Sequence, residues 1–178
     1  MPGSLPENKY IVVNWFNEIK PRLILDIGPG KGTYSMLLRK CKPIEDIQKW
    51  TCVEIFEPYI EKYDLKSKYE HIINTDIKIV DFNVLPKYDL IIAGDILEHL
   101  EKSEAICLIE RLKKHTKNLI VSIPIVDYPQ GPSEGNIYES HLCSFTHEEM
   151  DILMQSYRKL TGETLGYYWW KEPWYKTT

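Results

Sequence analysis

Short continuous apolar runs alternate along this chain with segments whose apolar positions recur every three or four residues. Such runs are typical of strands buried on both faces of a parallel sheet, and the recurring positions are typical of amphipathic helices. The runs predict strands at residues 22–28, 50–56, 70–77, 88–96 and 118–125. The periodic segments predict helices at residues 6–20, 33–41, 58–69, 101–115 and 146–157. This alternation predicts an α/β fold: a doubly wound, mostly parallel Rossmann-like sheet with helices on both faces.

Two segments near the C-terminus depart from the alternation. Residues 126–145 are polar, rich in proline and glycine, and show no periodicity, which favours a lid or binding loop. The very aromatic residues 163–178 predict one or two further strands, and we expect the terminal antiparallel hairpin of the sheet to be shortened. These aromatic side chains either cover the edge of the sheet or form a homodimer contact or a wall of the acceptor site.

Composition limits the classes of function. A length of 178 residues with 43% hydrophobic and 27% charged residues predicts one globular domain, residues 1–178. The net charge of −4 gives no general attraction to nucleic acid, and no apolar run is long enough to span a membrane. Four widely spaced cysteines without a CxxC pair indicate neither a zinc cluster nor a disulfide framework. We therefore expect a cytoplasmic protein without a nucleic-acid or membrane partner.

A glycine-rich turn lies between the first predicted strand and the helix that follows it. The sequence LDIGPGKGTYSML (25–37) places glycines at alternate positions after Asp26. It does not fit a phosphate-binding GxxxxGK[ST] loop, because Lys31 is followed by a glycine instead of the required serine or threonine. It also does not fit the nicotinamide pattern GxGxxG, because Thr33 stands at the third glycine. The turn therefore favours a different ligand that approaches the backbone closely.

The other predicted strands also end in residues suited to binding. In a doubly wound sheet, ligands bind beyond the carboxyl ends of the strands. Glu54 lies at the end of the second strand and Asp76 at the end of the third, and the segment GDILEHL (94–100) begins at the end of the fourth. The glycine turn and these strand ends resemble motifs of the class I S-adenosylmethionine-dependent methyltransferases, and so does the later segment SHLCSFTHEEMDILM (140–154). The motifs occur along this chain in the same order as in that family.

The resemblance implies the cofactor S-adenosyl-L-methionine, with S-adenosyl-L-homocysteine as product, and assigns binding residues. It implies that Glu54 binds the ribose hydroxyls and Asp76 the adenine amine. The residues expected at the cofactor are Asp26, Gly28, Pro29, Gly30, Gly32, Glu54, Ile55, Asp76, Ile77, Gly94 and Asp95. Alternatively, Asp26 caps the turn, and Glu54 and Asp76 are exposed strand ends.

The catalytic candidates follow the fourth strand and lie in the loop after the fifth. An oxygen acceptor needs a base, and His99, His141 and Asp95 are the expected catalytic residues. Some methyltransferases of this class hold a divalent metal with a similar E-x-x-E-H motif and a distant histidine. Here the corresponding set is Asp95, Glu98, His99 and His141. The alternative, which we favour, is that Glu98 orients a loop and His99 packs beside the cofactor without metal.

The leading hypothesis is a methyltransferase acting on a small molecule, at a hydroxyl group. No N-P-P-[YF] segment follows the fourth strand, which disfavours methylation of nitrogen on bases or amides. One alternative is a degenerate methyltransferase domain that binds the cofactor and acts as an interaction module. Another is a metal-assisted O-methyltransferase acting on an RNA or catechol-type hydroxyl.

Overall fold

A computed structural model of the protein describes residues 6–41 and 48–173. Its strands are β1 (Leu23–Ile27), β2 (Lys49–Glu54), β3 (His71–Asn74), β4 (Leu90–Gly94), β5 (Asn118–Pro124), β6 (Arg158–Thr161) and β7 (Leu165–Lys171). Its helices are α1 (Tyr10–Ile19), α2 (Thr33–Leu38), α3 (Glu57–Lys62), α4 (Lys102–Lys114) and α5 (His147–Met154).

In the described part of the chain these strands form one seven-stranded sheet in the order β3-β2-β1-β4-β5-β7-β6. Strands β1 to β5 pair in parallel, and β7 pairs antiparallel with both β5 and β6. The order reverses between β1 and β4, which creates the crevice where ligands bind in such folds. The predicted α/β, doubly wound, mostly parallel fold is confirmed.

The terminal antiparallel hairpin has both of its strands, and its outer strand β6 is short, at four residues. Strands β6 and β7 pair over four residues each, and β7 pairs with β5 along its whole length. The hairpin fits because α5 ends at Met154, three residues before the predicted end. Gln155 adopts a left-handed conformation with φ 46°, and β6 begins three residues later.

The core lies on both faces of the sheet because the strand side chains alternate between them. One face, including Leu25, Val121 and Tyr168, packs against α4 and α5. The other face packs against α1 and α2, where the rings of Trp15 and Trp169 lie 5.9 Å apart.

The aromatic C-terminal segment is therefore part of this core. Tyr167, Tyr168 and Trp169 are buried within the chain itself, so they offer no surface to a second copy. Residues 174–178 of the predicted segment lie outside the described residues, and the homodimer stays a prediction.

No helix of residues 6–41 and 48–173 is both long enough and apolar enough to cross a membrane. Within the same ranges there is no disulfide: Cys41, Cys52, Cys107 and Cys143 are free thiols.

Candidate functional site

The glycine turn joins β1 to α2 in a conformation that favours glycine. Gly28, Gly30 and Gly32 have φ values of 62°, 51° and 75°. A Cβ on Gly28 would lie 2.6 Å from Cδ1 of Ile96, and one on Gly32 would lie 2.7 Å from Cδ of Lys68. The glycines therefore let the turn pack tightly against its neighbours.

A cleft opens beside this turn at the carboxyl edge of the sheet. This main cleft, of about 230 Å³, is lined by the turn, by the ends of β2 and β4, and by loop residues 128–141. Gly28, Pro29 and Gly30 line it, whereas Gly32 is not among its lining residues. A second cavity of about 280 Å³, the side recess, shares Gly28, Ile55, Ile96, His99 and Tyr138 with the main cleft. The two cavities are therefore adjacent, with these five residues common to both linings.

Glu54 lies in the wall of the main cleft at the end of β2 and is only 4% exposed. Its Oε1 accepts a hydrogen bond of 2.8 Å from the backbone N–H of Phe56. Burial raises the pKa of Glu54 to about 7, because removal from water disfavours the ionised form. Ile55, the next residue, faces both cavities.

Asp76 and Ile77 line the side recess beyond β3. Asp76 is half-buried, and its Oδ1 accepts a hydrogen bond of 2.9 Å from the backbone N–H of Lys78. Its Oδ2 lies 3.6 Å from the Lys78 ammonium. The carboxylate therefore begins a short 3-10 helix at Ile77–Ile79 and at the same time faces the recess.

Asp26 lies in the core beneath the turn, and it is not among the residues that line either cavity in the described part of the chain. The Tyr69 hydroxyl donates a hydrogen bond of 2.5 Å to its Oδ2. Burial raises the pKa of Asp26 to about 7, although this hydrogen bond opposes the shift. The side chain of Asp26 therefore contacts Tyr69 in the core, and its roles at the cofactor or as a cap of the turn both stay predictions.

Gly94 and Asp95 line the main cleft at the end of β4. A Cβ on Gly94 would lie 2.2 Å from Cε2 of Tyr34, so the glycine makes room for that ring. Asp95 has a left-handed φ of 53°, and its Oδ1 accepts a hydrogen bond of 3.0 Å from the Ser122 hydroxyl. The Tyr34 and Ser122 hydroxyls are also hydrogen-bonded, at 2.9 Å.

The structure brings His99 and His141 together in the main cleft. Their ring centroids are 4.8 Å apart, although 42 positions separate them in the sequence. Nδ1 of His99 lies 3.1 Å from the Ser140 carbonyl, and Nδ1 of His141 lies 2.5 Å from the Tyr128 carbonyl. Because a carbonyl can only accept, each neutral ring carries its hydrogen on Nδ1 and keeps the Nε2 lone pair. Burial lowers the pKa of both imidazoles, which favours that neutral form.

Glu98 completes this cluster. It is 2% exposed, and among the described residues its Oε2 has no hydrogen-bond partner. Burial, followed by the nearby Asp95, raises its pKa well above the usual range. One ligand atom each from Glu98, His99 and His141 lies within 4.8 Å of the others, and Asp95 is not in this group.

The main cleft also contains residues that the sequence analysis did not single out. Tyr59, Gln130 and Asn136 line it. Glu134, at the tip of the loop, accepts hydrogen bonds of 2.6 Å from Lys62 and 3.1 Å from Tyr63, which attach the loop near the C-terminal end of α3. The aperiodic loop predicted a binding segment, but its spacing could not show which side chains turn inward.

Comparison with known families identifies the chain. The model of the family "Tellurite resistance protein TehB" matches residues 7–134, which is more than half of the sequence. The chain belongs to the TehB family. This is a family of S-adenosylmethionine-dependent methyltransferases of class I, as the motifs predicted.

Solved structures agree on the fold. The chain is similar to TehB from Haemophilus influenzae (17% identity, TM-score 0.69), covering 95% of this chain and 64% of that one. It is similar to the PH0226 protein from Pyrococcus horikoshii OT3 (17% identity, TM-score 0.67), covering 96% and 92%. It is also similar to magnesium protoporphyrin IX methyltransferase from Synechocystis PCC 6803, solved with S-adenosylhomocysteine (17% identity, TM-score 0.64), covering 90% and 80%. No curated protein sequence matches the chain.

Proposed function

We propose that the chain transfers a methyl group from S-adenosylmethionine to a hydroxyl of a small molecule. The proposal rests on one observation: the glycine turn, Glu54 and the neutral imidazoles of His99 and His141 all line the same cleft. The cofactor carries the methyl group on a sulfonium sulfur. When the methyl group is transferred, this sulfur leaves as a neutral thioether, so the leaving group does not have to be protonated by an acid.

The cofactor half of the proposal rests on the turn and the ends of β2 and β3. The backbone of Gly28, Pro29 and Gly30 is open to the cleft, so a ligand can lie directly against it. Glu54 has the place and charge to accept the ribose hydroxyls, which are hydrogen bonds strengthened by its negative charge. Ile55 and Ile77 provide apolar contacts in the side recess, with Asp76 as acceptor for the adenine amine.

The acceptor half rests on His99 and His141. An Nε2 lone pair held by a hydrogen bond at Nδ1 can take the hydroxyl proton while the oxygen attacks the methyl carbon. The negative charge of Asp95 favours the protonated imidazoles and so partly opposes the lowering of their pKa values by burial. Asp95 is therefore proposed to assist the base and, as a residue of the β4 end, to contact the cofactor.

The charges of the cleft indicate the kind of acceptor. Its described lining includes the acids Glu54, Asp95, Glu98 and Glu139, and Lys31 is the one Lys or Arg among them. With a single lysine and no arginine among these residues, the cleft offers phosphates little attraction, so we propose an uncharged or cationic small molecule rather than a nucleic acid. The free cysteines fit a reducing compartment, and we propose that the protein works in the cytoplasm.

Calorimetry and methyl transfer test the proposal together. We expect S-adenosylhomocysteine to bind and NAD not to bind, and we expect labelled methyl transfer to at least one hydroxyl compound in a metabolite panel. Binding without transfer to any compound would instead support a degenerate domain that acts as an interaction module. Absence of binding would refute the cofactor assignment.

A metal-assisted O-methyltransferase is the second candidate. The favouring observation is the cluster of Glu98, His99 and His141, in which Glu98 Oε2 lacks a partner among the described residues. One carboxylate oxygen and two imidazole Nε2 atoms suit a divalent ion, and both rings already bear the Nδ1 hydrogen bonds common in such sites. A bound ion would polarise the acceptor hydroxyl, of catechol or RNA ribose type, and lower its pKa.

Chelation separates the two candidates. A metal mechanism predicts that EDTA abolishes transfer and that Mg²⁺ or Mn²⁺ restores it, whereas a base mechanism is indifferent. Calorimetric titration with Mn²⁺ gives an independent measurement. Wild-type protein should bind the ion and the Glu98→Gln variant should not, and absence of binding to wild-type protein would remove this candidate.

A further inference from the structure

We propose that the methyl acceptor is a small phenol that carries an amine, and that it binds in a third cavity with its ammonium group at Asp127. This inference rests on the proposed function and names its class of acceptor. The third cavity, the outer recess, has a volume of about 220 Å³. It is lined by Glu98, by Pro124 at the end of β5, and by loop residues 126–129 and 141–144.

The outer recess adjoins the main cleft at the expected base. Glu98, Pro124, Tyr128 and His141 line both cavities. A methyl donor in the main cleft and an acceptor in the outer recess would therefore meet beside His141. In the transfer, the acceptor oxygen forms a bond to the methyl carbon and the electrons of the C–S bond leave with the sulfur. The hydroxyl proton passes to Nε2 of His141.

One residue in the wall of the outer recess has a buried polar atom that the chain leaves unpaired. Glu98 is 2% exposed, and among the described residues its Oε2 has no hydrogen-bond partner. Such an atom costs free energy, so its place in a cavity wall indicates that a polar group of a ligand pairs with it. The outer recess is therefore a place for a ligand and not only a gap in the packing.

The charge of the outer recess favours a cation. Asp127 is exposed, and within residues 6–41 and 48–173 no hydrogen bond or ion pair engages its carboxylate. By contrast, Glu134 of the same loop is paired with Lys62. The described residues that line the recess include no lysine or arginine. Asp127 is therefore the group available to an ammonium, and the recess has no cation for an anionic acceptor.

The remaining wall suits a flat apolar body. Val126, Tyr128 and Leu142 line the recess and are exposed large hydrophobic residues, which a ligand ring would cover. An aromatic ring packs well against another, and Tyr128 offers such a ring. A phenol also gives up its proton more readily than an aliphatic alcohol, at a pKa of about 10 as in tyrosine, which suits an imidazole base. These features favour a phenol over an aliphatic alcohol.

Calorimetry on protein saturated with S-adenosylhomocysteine tests the inference with three phenols of similar size. Tyramine carries an ammonium group, 4-propylphenol is uncharged, and 3-(4-hydroxyphenyl)propionate carries a carboxylate. We expect wild-type protein to bind tyramine more tightly than 4-propylphenol by about three- to fivefold, the upper range for an exposed ion pair, and to bind the propionate most weakly. Labelled methyl transfer from S-adenosylmethionine should follow the same order in kcat/KM.

Two substitutions at Asp127 assign the preference to this residue. Asp127→Asn should remove the preference for tyramine, and Asp127→Lys should reverse it in favour of the propionate. Neither should change the affinity for S-adenosylhomocysteine. Asp64→Asn is the matched control, because it removes the same charge from an exposed aspartate that lines none of the three cavities, and it should keep the wild-type order.

Several outcomes would overturn the inference. They are equal affinities of wild-type protein for the three phenols, a preference for tyramine that persists in Asp127→Asn, and tyramine that binds without receiving a methyl group. Absence of binding by all three phenols to the loaded protein would also overturn it. Each of these outcomes leaves the proposed function in place if S-adenosylhomocysteine binds and another hydroxyl compound is methylated. Failure of wild-type protein to bind S-adenosylhomocysteine would instead refute the proposed function, and this inference with it.

Discussion

Glu54 is expected to make cofactor affinity depend on pH near neutrality. It is buried in the wall of the main cleft, and this burial raises its pKa to about 7. Ribose hydroxyls donate to a carboxylate, so a bound cofactor favours the ionised form and lowers that pKa. Below pH 7 the free protein carries a proton on Glu54 that binding must release. Affinity should therefore fall as the pH falls through 7 and reach a plateau above it.

The magnitude follows from the shift. Each pH unit below the pKa costs about 1.4 kcal/mol, or a factor of about ten in the dissociation constant, as long as the bound form stays ionised. Binding at pH 6 should be about tenfold weaker than on the plateau. The number of protons released on binding should rise from near zero at high pH toward one at low pH.

Calorimetry with S-adenosylhomocysteine between pH 5.5 and 8.5, in two buffers of different ionisation enthalpy, measures both quantities. The Glu54→Gln variant keeps an oxygen for the Phe56 N–H but cannot ionise. It should bind about 1.5–3 kcal/mol more weakly on the plateau and lose the pH dependence. Asp26→Asn is the control, because Asp26 also has a pKa raised to about 7 but does not line the cleft. An equal slope in wild-type and Glu54→Gln protein would refute the reasoning.

Three further predictions concern the surrounding residues. Gly94→Ala should lower the free energy of unfolding in urea by about 1–3 kcal/mol, because the Cβ of the new alanine would clash with the Tyr34 ring. The double variant Gly94→Ala, Tyr34→Leu should recover part of this loss. Asp26→Asn should stabilise the protein, and more so at pH 8 than at pH 5 by about 2 kcal/mol. The reason is that the folded protein holds the proton of Asp26 more tightly than the unfolded chain does, because folding raises its pKa to about 7. This contribution to folding stability is complete below pH 4 and is lost as the pH rises through 7. Equal gains at both pH values would contradict this reasoning. His99→Ala should reduce methyl transfer at saturating cofactor while leaving the dissociation constant of S-adenosylhomocysteine unchanged, and a changed constant with normal turnover would remove His99 from the acceptor side.

The sequence predicted the sheet well because parallel strands buried on both faces leave a simple signal. The runs around β1, β4 and β5 are continuous in apolar residues, and each proved fully or largely buried. Parallel strands bring their carboxyl ends to one edge, so Glu54 and Asp95 could be placed in one site without knowledge of any contact.

Long-range contacts of single side chains could not be predicted in this way. The spacing of Asp26 before the glycines suggested a ligand contact, but Tyr69, 43 residues later, approaches it in the core. Lys9 lies in a segment that reads only as the start of an amphipathic helix. Its place beside Asp95 depends on Glu7 reaching a turn more than 150 residues away.

The end of α5 was missed for a local reason. Apolar periodicity continues to Tyr157, whereas the helix stops at Met154 because Gln155 takes a left-handed conformation. Glycine or asparagine usually marks such a position, and glutamine gives no such signal. The extra residues assigned to the helix removed the room that β6 needs.

The distribution of unpaired polar atoms links the fold to the site. In the described part of the chain, five buried side-chain atoms lack a hydrogen-bond partner: Gln48 Nε2, Tyr59 Oη, Asp95 Oδ2, Glu98 Oε2 and Ser156 Oγ. Three of these residues, Tyr59, Asp95 and Glu98, line the main cleft. Each costs about 1–3 kcal/mol while unpaired, so a chain selected for stability alone would not collect them in one cavity. A ligand whose polar groups pair with these atoms would recover this energy, and binding should therefore stabilise the fold by more than its apolar contacts alone provide.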